Sequence, residues 1–235
     1  MSRWAYHVPI LGYHKIGAFK GDHVPTVSAE AFERQLRWLW RWQYKVVGLE
    51  AVVASQEQGG PMPRRTTVIT FDDGYEETCT IAWPLLKRFG LTATVFVTPG
   101  EVGLPGFATW EQIRSVAQEG MTIGSHTMHH SYLPLVPAER LSEELVGSKA
   151  AIEQRIQRPI NFLSYPIGGY TLEAQRVAQE AGYLGACTTN RAVTTAMDRF
   201  ALRRIKMTDR DAHPLLLRAK LSGYYDLFRR LKRPS

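Results

Sequence analysis

Cysteine is scarce: two in 235 residues, Cys79 and Cys187, far apart and in no metal-type spacing. That excludes a disulfide framework and a thiolate-built metal site, and it predicts buried free thiols. Long apolar runs are missing too, since none approaches the roughly 20 residues that span a bilayer. There is no internal repeat and no low-complexity tract. With 44% hydrophobic and 22% charged residues, a disordered or collagen-like chain is excluded. The opening MSRWAYHVPILGYHKIG has one Arg and an apolar run broken by Pro9, His14 and Lys15. It predicts no secretory signal, and with that a cytoplasmic chain.

Acidic charge is depleted only locally. The formal net charge is +7, but from Arg199 to Ser235 eleven Lys/Arg face three Asp/Glu, against 18 and 19 in the remainder. A near-neutral body with a basic C-terminal segment follows. A chain of this length can bury roughly 70–75% of its extended surface, enough for one large domain.

Apolar, β-branched runs alternate with amphipathic stretches along the chain. Strands are expected at 7–13, 44–49, 66–71, 92–98, 121–125, 161–165, 184–189 and 200–207. Helices are expected at 28–43 (capped by Ser28), 50–58, 76–89, 109–120, 138–156 and 172–181, with Pro84 predicting a kink or a later start. Residues 59–65, GGPMPRR, read as a loop. Such alternation implies parallel βαβ units, with a closed or nearly closed β/α barrel of about seven strands first and a doubly wound open sheet second. Either fold puts reactive groups at the C-terminal ends of the strands.

Two polar clusters stand at such ends. In TFDDGY (70–75), Asp72 and Asp73 are adjacent carboxylates, which repel unless a cation or proton resolves them; an Asp-Asp-Gly turn is the plain alternative. In GSHTMHH (124–130), His126 and His130 are four apart, a spacing that one helical turn brings to a common face; a solvated pair is the plain alternative. Together they offer one carboxylate and two imidazoles for a divalent ion such as Zn²⁺, with room for water and substrate. The second carboxylate is then available as a base. His129 points elsewhere on that turn.

TFDDGY, SHTMHH and then FLSYPIGGY, in that order and spacing, resemble the polysaccharide deacetylase family, the family 4 carbohydrate esterases or NodB homology domains. The resemblance runs from VPILGYHKIG to ALRRI and implies a deformed (β/α) barrel, a single deacetylase domain over residues 1–210. It implies Asp72 as catalytic base and Asp73, His126 and His130 as ligands of one divalent metal per chain, commonly Zn²⁺. Tyr75, Tyr165, Pro166, Ile167 and Gly168 are expected at the substrate groove, the Ile167 N–H donating to the oxyanion.

The chain departs from the family in three places. The family's Arg-x-Pro-Tyr-Gly reads Ser164-Tyr-Pro-Ile167-Gly here, so the arginine that pairs with the base is missing, and Arg204 is the candidate replacement. The late Leu-x-His is absent, and His14, at the end of the first strand, is assigned as general acid by similarity to a branch with an early catalytic His. The Asp-x-x-Asp-Trp motif is also absent, leaving substrate contacts on that side unassigned.

Residues 211–235 read as a basic amphipathic helix, with Leu217, Leu221, Tyr224, Phe228 and Leu231 on one face and Arg218, Lys220, Arg229, Arg230, Lys232 and Arg233 on or beside it. It is expected either to pack on the barrel or, over 214–235, to meet an anionic membrane. Nucleic acid is not expected, since no recognised reading motif is present. The sequence thus points to removal of N-acetyl groups from a hexosamine-containing polysaccharide, oligosaccharide or lipid-linked sugar. The substrate would be met at the inner membrane face, as in surface-polysaccharide biosynthesis. The alternatives are hydrolysis of another amide (deformylation or cyclic imide opening) and a glycan-binding module without turnover.

Overall fold

Each apolar run forms a short parallel strand, and each amphipathic stretch returns the chain to the same pole. The computed structural model describes residues 7–18, 21, 24–60, 62–189 and 198–225. The strands are β1 Ile10–Tyr13, β2 Lys15–Ile16, β3 Thr26–Val27, β4 Lys45–Val46, β5 Thr66–Phe71, β6 Thr94–Val97, β7 Thr122–Ser125, β8 Phe162–Ser164, β9 Gly185–Thr188 and β10 Leu202–Lys206. The helices are α1 Ala29–Arg41, α2 Leu49–Gln58, α3 Trp83–Arg88, α4 Trp110–Gln118, α5 Ala138–Ser142, α6 Ser148–Ile156, α7 Leu172–Glu180 and α8 Pro214–Lys220.

The sheet closes because β1 pairs with β10 on one side and β5 on the other. The ring runs β1-β10-β9-β8-β7-β6-β5 and back to β1, seven parallel strands, with β4 added outside β5 and β2–β3 forming a separate pair. The fold is therefore the deformed barrel, not the open sheet.

Side chains of alternating direction fill the two layers. Ile10, Val68, Phe96, Phe162, Cys187 and Leu202 pack inside the ring with Leu49, Val52 and Val53 of α2, which stoppers that interior. The larger outer core lies between strands and helices, with Leu36, Leu39, Ile69, Phe71, Val95, Leu145 and Ile152 among its members.

Local chemistry sets the helix boundaries. Ser28 caps α1, its hydroxyl accepting from the Ala31 N–H at 3.3 Å. Thr109 and Gln112 form a reciprocal capping box on α4. The kink expected from Pro84 is expressed as a wide π turn over Thr78–Ala82, leaving Pro84 in the first turn of α3, where its missing N–H costs little. The helix expected at 138–156 likewise contains a π turn, Glu143–Gly147, between α5 and α6.

The C-terminal expectation needs correction within the described residues. Helix α8 ends at Lys220, and Gly223, at φ 76°, breaks the continuous face drawn through Leu217, Leu221 and Tyr224. Leu217 and Leu221 are buried. Lys220, expected as a solvated cation, is buried 2.6 Å from Asp211. Phe228, Leu231, Arg229, Arg230, Lys232 and Arg233 lie outside the described residues. Among the described residues no helix is long and apolar enough to cross a membrane.

Barrel closure leaves no space at Gly124 on β7, where a Cβ would sit 2.5 Å from the Phe96 ring and 3.0 Å from the Phe162 carbonyl oxygen. Gly124→Ala should lower unfolding free energy by about 1–3 kcal/mol in denaturant titration.

Candidate active site

The barrel delivers its polar groups to one pole. Strand β5 ends at Phe71, and Asp72 follows with its N–H held by the Tyr13 carbonyl at 3.0 Å. The chain then turns sharply through Asp73 (φ 70°) and Gly74 (φ 75°). This turn sends the two neighbouring carboxylates to different partners.

Asp72 faces Arg204 of β10. The guanidinium grips it in a fork, Nη1 donating to Oδ1 at 2.6 Å and Nη2 to Oδ2 at 2.5 Å. Nη2 also donates to Ser164 Oγ at 2.9 Å, and the guanidinium lies 5.5 Å from the Phe96 ring centroid. Burial alone would raise the Asp72 pKa, but Arg204, with smaller help from His126 and His14, outweighs it and holds the carboxyl below its usual range. The expected replacement of the missing arginine is thus present in the geometry, and the serine standing in its place is one of its partners.

Asp73 faces the two histidines. His126 Nε2 and His130 Nε2 each lie 3.3 Å from Asp73 Oδ1, and the ligand atoms of the three residues are within 4.8 Å of one another. Two atoms bound tetrahedrally to one ion at ~2.0–2.1 Å would stand roughly 3.3 Å apart. His126 Nδ1 sits 2.7 Å from the Ser164 carbonyl, so in the neutral ring that nitrogen carries the proton and Nε2 presents a lone pair. Asp73 Oδ1, buried, receives no hydrogen bond. The His126 lone pair and the His130 ring nitrogen, both beside the Asp73 oxygen, fit a cation between them.

The expected helical turn carrying the histidines is not formed. Residues 126–130 are a loop, because Thr127 (φ 65°) and His130 (φ 56°) adopt left-handed conformations that no α-helix admits. The pair still meets, ring centroids 4.9 Å apart. His129 points away, its Nδ1 3.0 Å from Glu144.

Glu144 is a functional residue that sequence reasoning missed. It lies in the π turn, buried, and its carboxylate takes the His129 N–H at 3.1 Å and the Ser131 hydroxyl at 2.8 Å, while its carbonyl takes the Met128 N–H at 3.1 Å. It thereby pins the loop between the two histidines. Its only sequence signal was an acid amid helical charges, which reads as surface.

His14 follows β1, with Nε2 3.8 Å from Asp72 Oδ2. Burial lowers its pKa, against the opposing pull of Asp72 and Asp73. The groove turn places Ile167 at φ 58°, an uncommon conformation for a β-branched residue, next to Gly168 at φ 82°. Thr189 Oγ1 donates to the Ile167 carbonyl at 3.1 Å and Thr188 Oγ1 to that of Gly168 at 2.6 Å, fixing the turn from β9. A Cβ on Gly168 would lie 2.1 Å from Thr189 Oγ1, so only glycine fits.

A cleft of about 650 Å³ is lined by His14, Asp72, Asp73, Tyr75, His126, His130, Ile167, Gly168 and Arg204. Tyr165 and Pro166 do not line it, correcting their expected place at the groove. Ser164 points into the barrel toward Arg204, so its neighbour Tyr165 must point out, where it is buried, stacks on Tyr170 and donates its hydroxyl to the Phe200 carbonyl at 3.1 Å.

A family model described as Polysaccharide deacetylase matches residues 59–186, more than half the chain. The chain belongs to the polysaccharide deacetylase family. It is 30% identical over 202 residues to YxkH of Bacillus subtilis (strain 168), provisionally named a polysaccharide deacetylase, covering 86% of this chain and 71% of that protein. It is 26% identical over 216 residues to the poly-beta-1,6-N-acetyl-D-glucosamine N-deacetylase of Staphylococcus aureus (strain MRSA252), covering 86% and 73%. Among solved structures, the Streptococcus pyogenes deacetylase PplD in complex with acetate shares the fold at a TM-score of 0.85 with 24% identity, covering 93% of this chain and 99% of that one. The protein is accordingly a deacetylase. The missing motif arginine has a geometric counterpart in Arg204.

Two substitutions test how the site is held. Arg204→Gln should cost about 3–5 kcal/mol of stability in denaturant titration, because it strands a buried carboxylate. Glu144→Gln should weaken divalent-ion affinity by roughly 10–100-fold in calorimetric titration while leaving circular dichroism unchanged.

Proposed function

We propose that this chain is a divalent-metal-dependent hydrolase that removes N-acetyl groups from a hexosamine-containing glycan, giving free amine and acetate. The observation that carries the reading is an arginine-tethered carboxylate beside a separate Asp-His-His set, with the His14 imidazole 3.8 Å from that carboxylate. Substrate class rests on the relatives, of which the Staphylococcus aureus enzyme is named for poly-beta-1,6-N-acetyl-D-glucosamine.

Asp73, His126 and His130 would hold one ion per chain, and their oxygen and nitrogen donors suit Zn²⁺ among other divalent ions. When bound, such an ion supplies Lewis-acid polarisation and a water of lowered pKa. Asp72, kept anionic by Arg204, takes the proton of the attacking water as it adds to the acetamide carbonyl. The Ile167 N–H, presented by a turn fixed from β9, donates to the developing oxyanion. His14 gives a proton to the departing amine. Its lowered pKa leaves it neutral at rest, and the 3.8 Å separation from Asp72 gives the proton taken from water a short route to the imidazole. The C–N bond breaks, the amine gains a proton, and acetate leaves with the oxygen of water.

Acetate release from N-acetylated oligosaccharides, assayed with bound-metal analysis, tests the reading; formate release from N-formyl analogues alone would favour the other amide. Asp72→Asn should abolish turnover while sparing metal content. His14→Ala should slow kcat by about 10²–10⁴-fold. His126→Ala should lose the metal, and unchanged elemental analysis would overturn the ligand assignment.

A further inference from the structure

Apolar side chains gather at one rim of the cleft. Ile167, which lines it, is 73% exposed, Leu172 and Leu135 are each 82% exposed, and Tyr132 is 40% exposed. They lie between β7 and α5 and between β8 and the first residue of α7, and these stretches touch: a Cβ on Gly169 would lie 2.2 Å from the Tyr132 ring. Neither SYLPLVP (131–137) nor PIGGYTL (166–172) contains a charged residue, in a chain that is 22% charged. Exposed apolar groups are ordinary when scattered, but a set carried on two touching stretches of chain beside a site marks a surface that is covered in use.

The chemistry of the rim selects its cover. Sugar platforms are aromatic faces, whereas three of these four side chains are aliphatic and suit hydrocarbon. The single aromatic is a tyrosine, whose ring and hydroxyl suit the boundary between hydrocarbon and water. The same cleft carries Arg203 and Lys206 on the β10 wall. An aliphatic rim beside cations complements a bilayer with anionic headgroups over an apolar interior.

We infer that this rim enters the headgroup–acyl boundary of an anionic membrane, so that the cleft opens onto the bilayer surface and serves a lipid-held N-acetyl sugar. The inference rests on the deacetylase reading for its substrate, but the contact itself is independent of turnover. Leu135 and Leu172, not Ile167, are the residues to change, because neither lines the cleft.

Full-length protein and the Leu135→Ser/Leu172→Ser variant are floated with vesicles of phosphatidylcholine, alone or mixed with phosphatidylglycerol. Both proteins keep residues 226–235, so their difference reports the rim alone. The unaltered protein should float with the mixed vesicles, and the variant should partition about tenfold less or worse, as loss of two buried leucines requires. Acetate release from a water-soluble N-acetylated oligosaccharide should be the same for both, which also shows the variant folded. Equal flotation of the two proteins, or no flotation of either, overturns the membrane contact. So does vesicle-free self-association that the variant abolishes, which would assign the rim to a second copy of the chain. Failure of acetate release by both proteins would instead strike the deacetylase reading and leave the flotation result standing.

Discussion

Arg204 reaches from β10 across the barrel interior to Asp72 at the end of β5, with Thr70, Ser164 and Phe96 around its guanidinium. A carboxylate buried to this degree would take up a proton and cease to be a base without a cation against it. The fork supplies that cation and also fixes the plane of the carboxylate, which a lysine's point charge would not do. The contact spans β1, to which β10 and β5 are both hydrogen-bonded on its opposite sides. The β10-β1-β5 pairing and the charge of Asp72 are therefore one constraint. A sheet broken on either side of β1 would separate the two side chains.

The other site residues depend on backbone that resists ordinary side chains. Asp73, Thr127, His130 and Ile167 all have positive φ among the described residues, and each sits in a loop leaving the C-terminal end of a strand. Such conformations persist only where surrounding contacts over-determine them. Here those contacts are visible. The Ser164 carbonyl holds His126, Glu144 holds the His129–Ser131 stretch, and Thr188 and Thr189 hold the Ile167–Gly168 turn. The strained loops converge on one small volume, and the groups that fix them come from the adjacent strand end or helix, so rigidity of the scaffold passes directly to the reacting groups.

What could be read in the sequence follows from the range of each interaction. Strands such as TTVITF were legible because burial on both faces forces a β-branched, apolar run. The helix cap at Ser28 was legible because its chemistry is local. Asp72, Asp73, His126 and His130 were legible as a set because strand ends are where this topology gathers function. The conformation of the histidine loop was not, since a four-residue spacing satisfies a helix as well as a loop whose left-handed residues are imposed from outside. Glu144 was hidden because an acid in SEEL has the pattern of a solvated face, and only the packing of α5 and α6 against the loop makes it internal. Tyr165 was misplaced for a simpler reason: in a strand, adjacent residues cannot share a face, and Ser164 already takes the inward direction. The fate of Lys220 was equally non-local, since its partner Asp211 belongs to the turn before α8.

The Ser164–Arg204 arrangement shows what the buried Asp72 carboxylate requires physically. The requirement is a guanidinium inside the ring within hydrogen-bonding distance of Asp72, and the interior is narrow enough for β8 and β10 both to reach it. With arginine on β10, position 164 must be small, and a hydroxyl there gives the guanidinium an acceptor besides the carboxylate. Arginine at both positions would set two cations against one buried carboxylate, and arginine at neither would leave that carboxylate to protonate. One cation shared between two strands is the arrangement that keeps the Asp72 carboxylate charged, and the serine in SYPIGG is the hydrogen-bonding counterpart of the arginine in ALRRI.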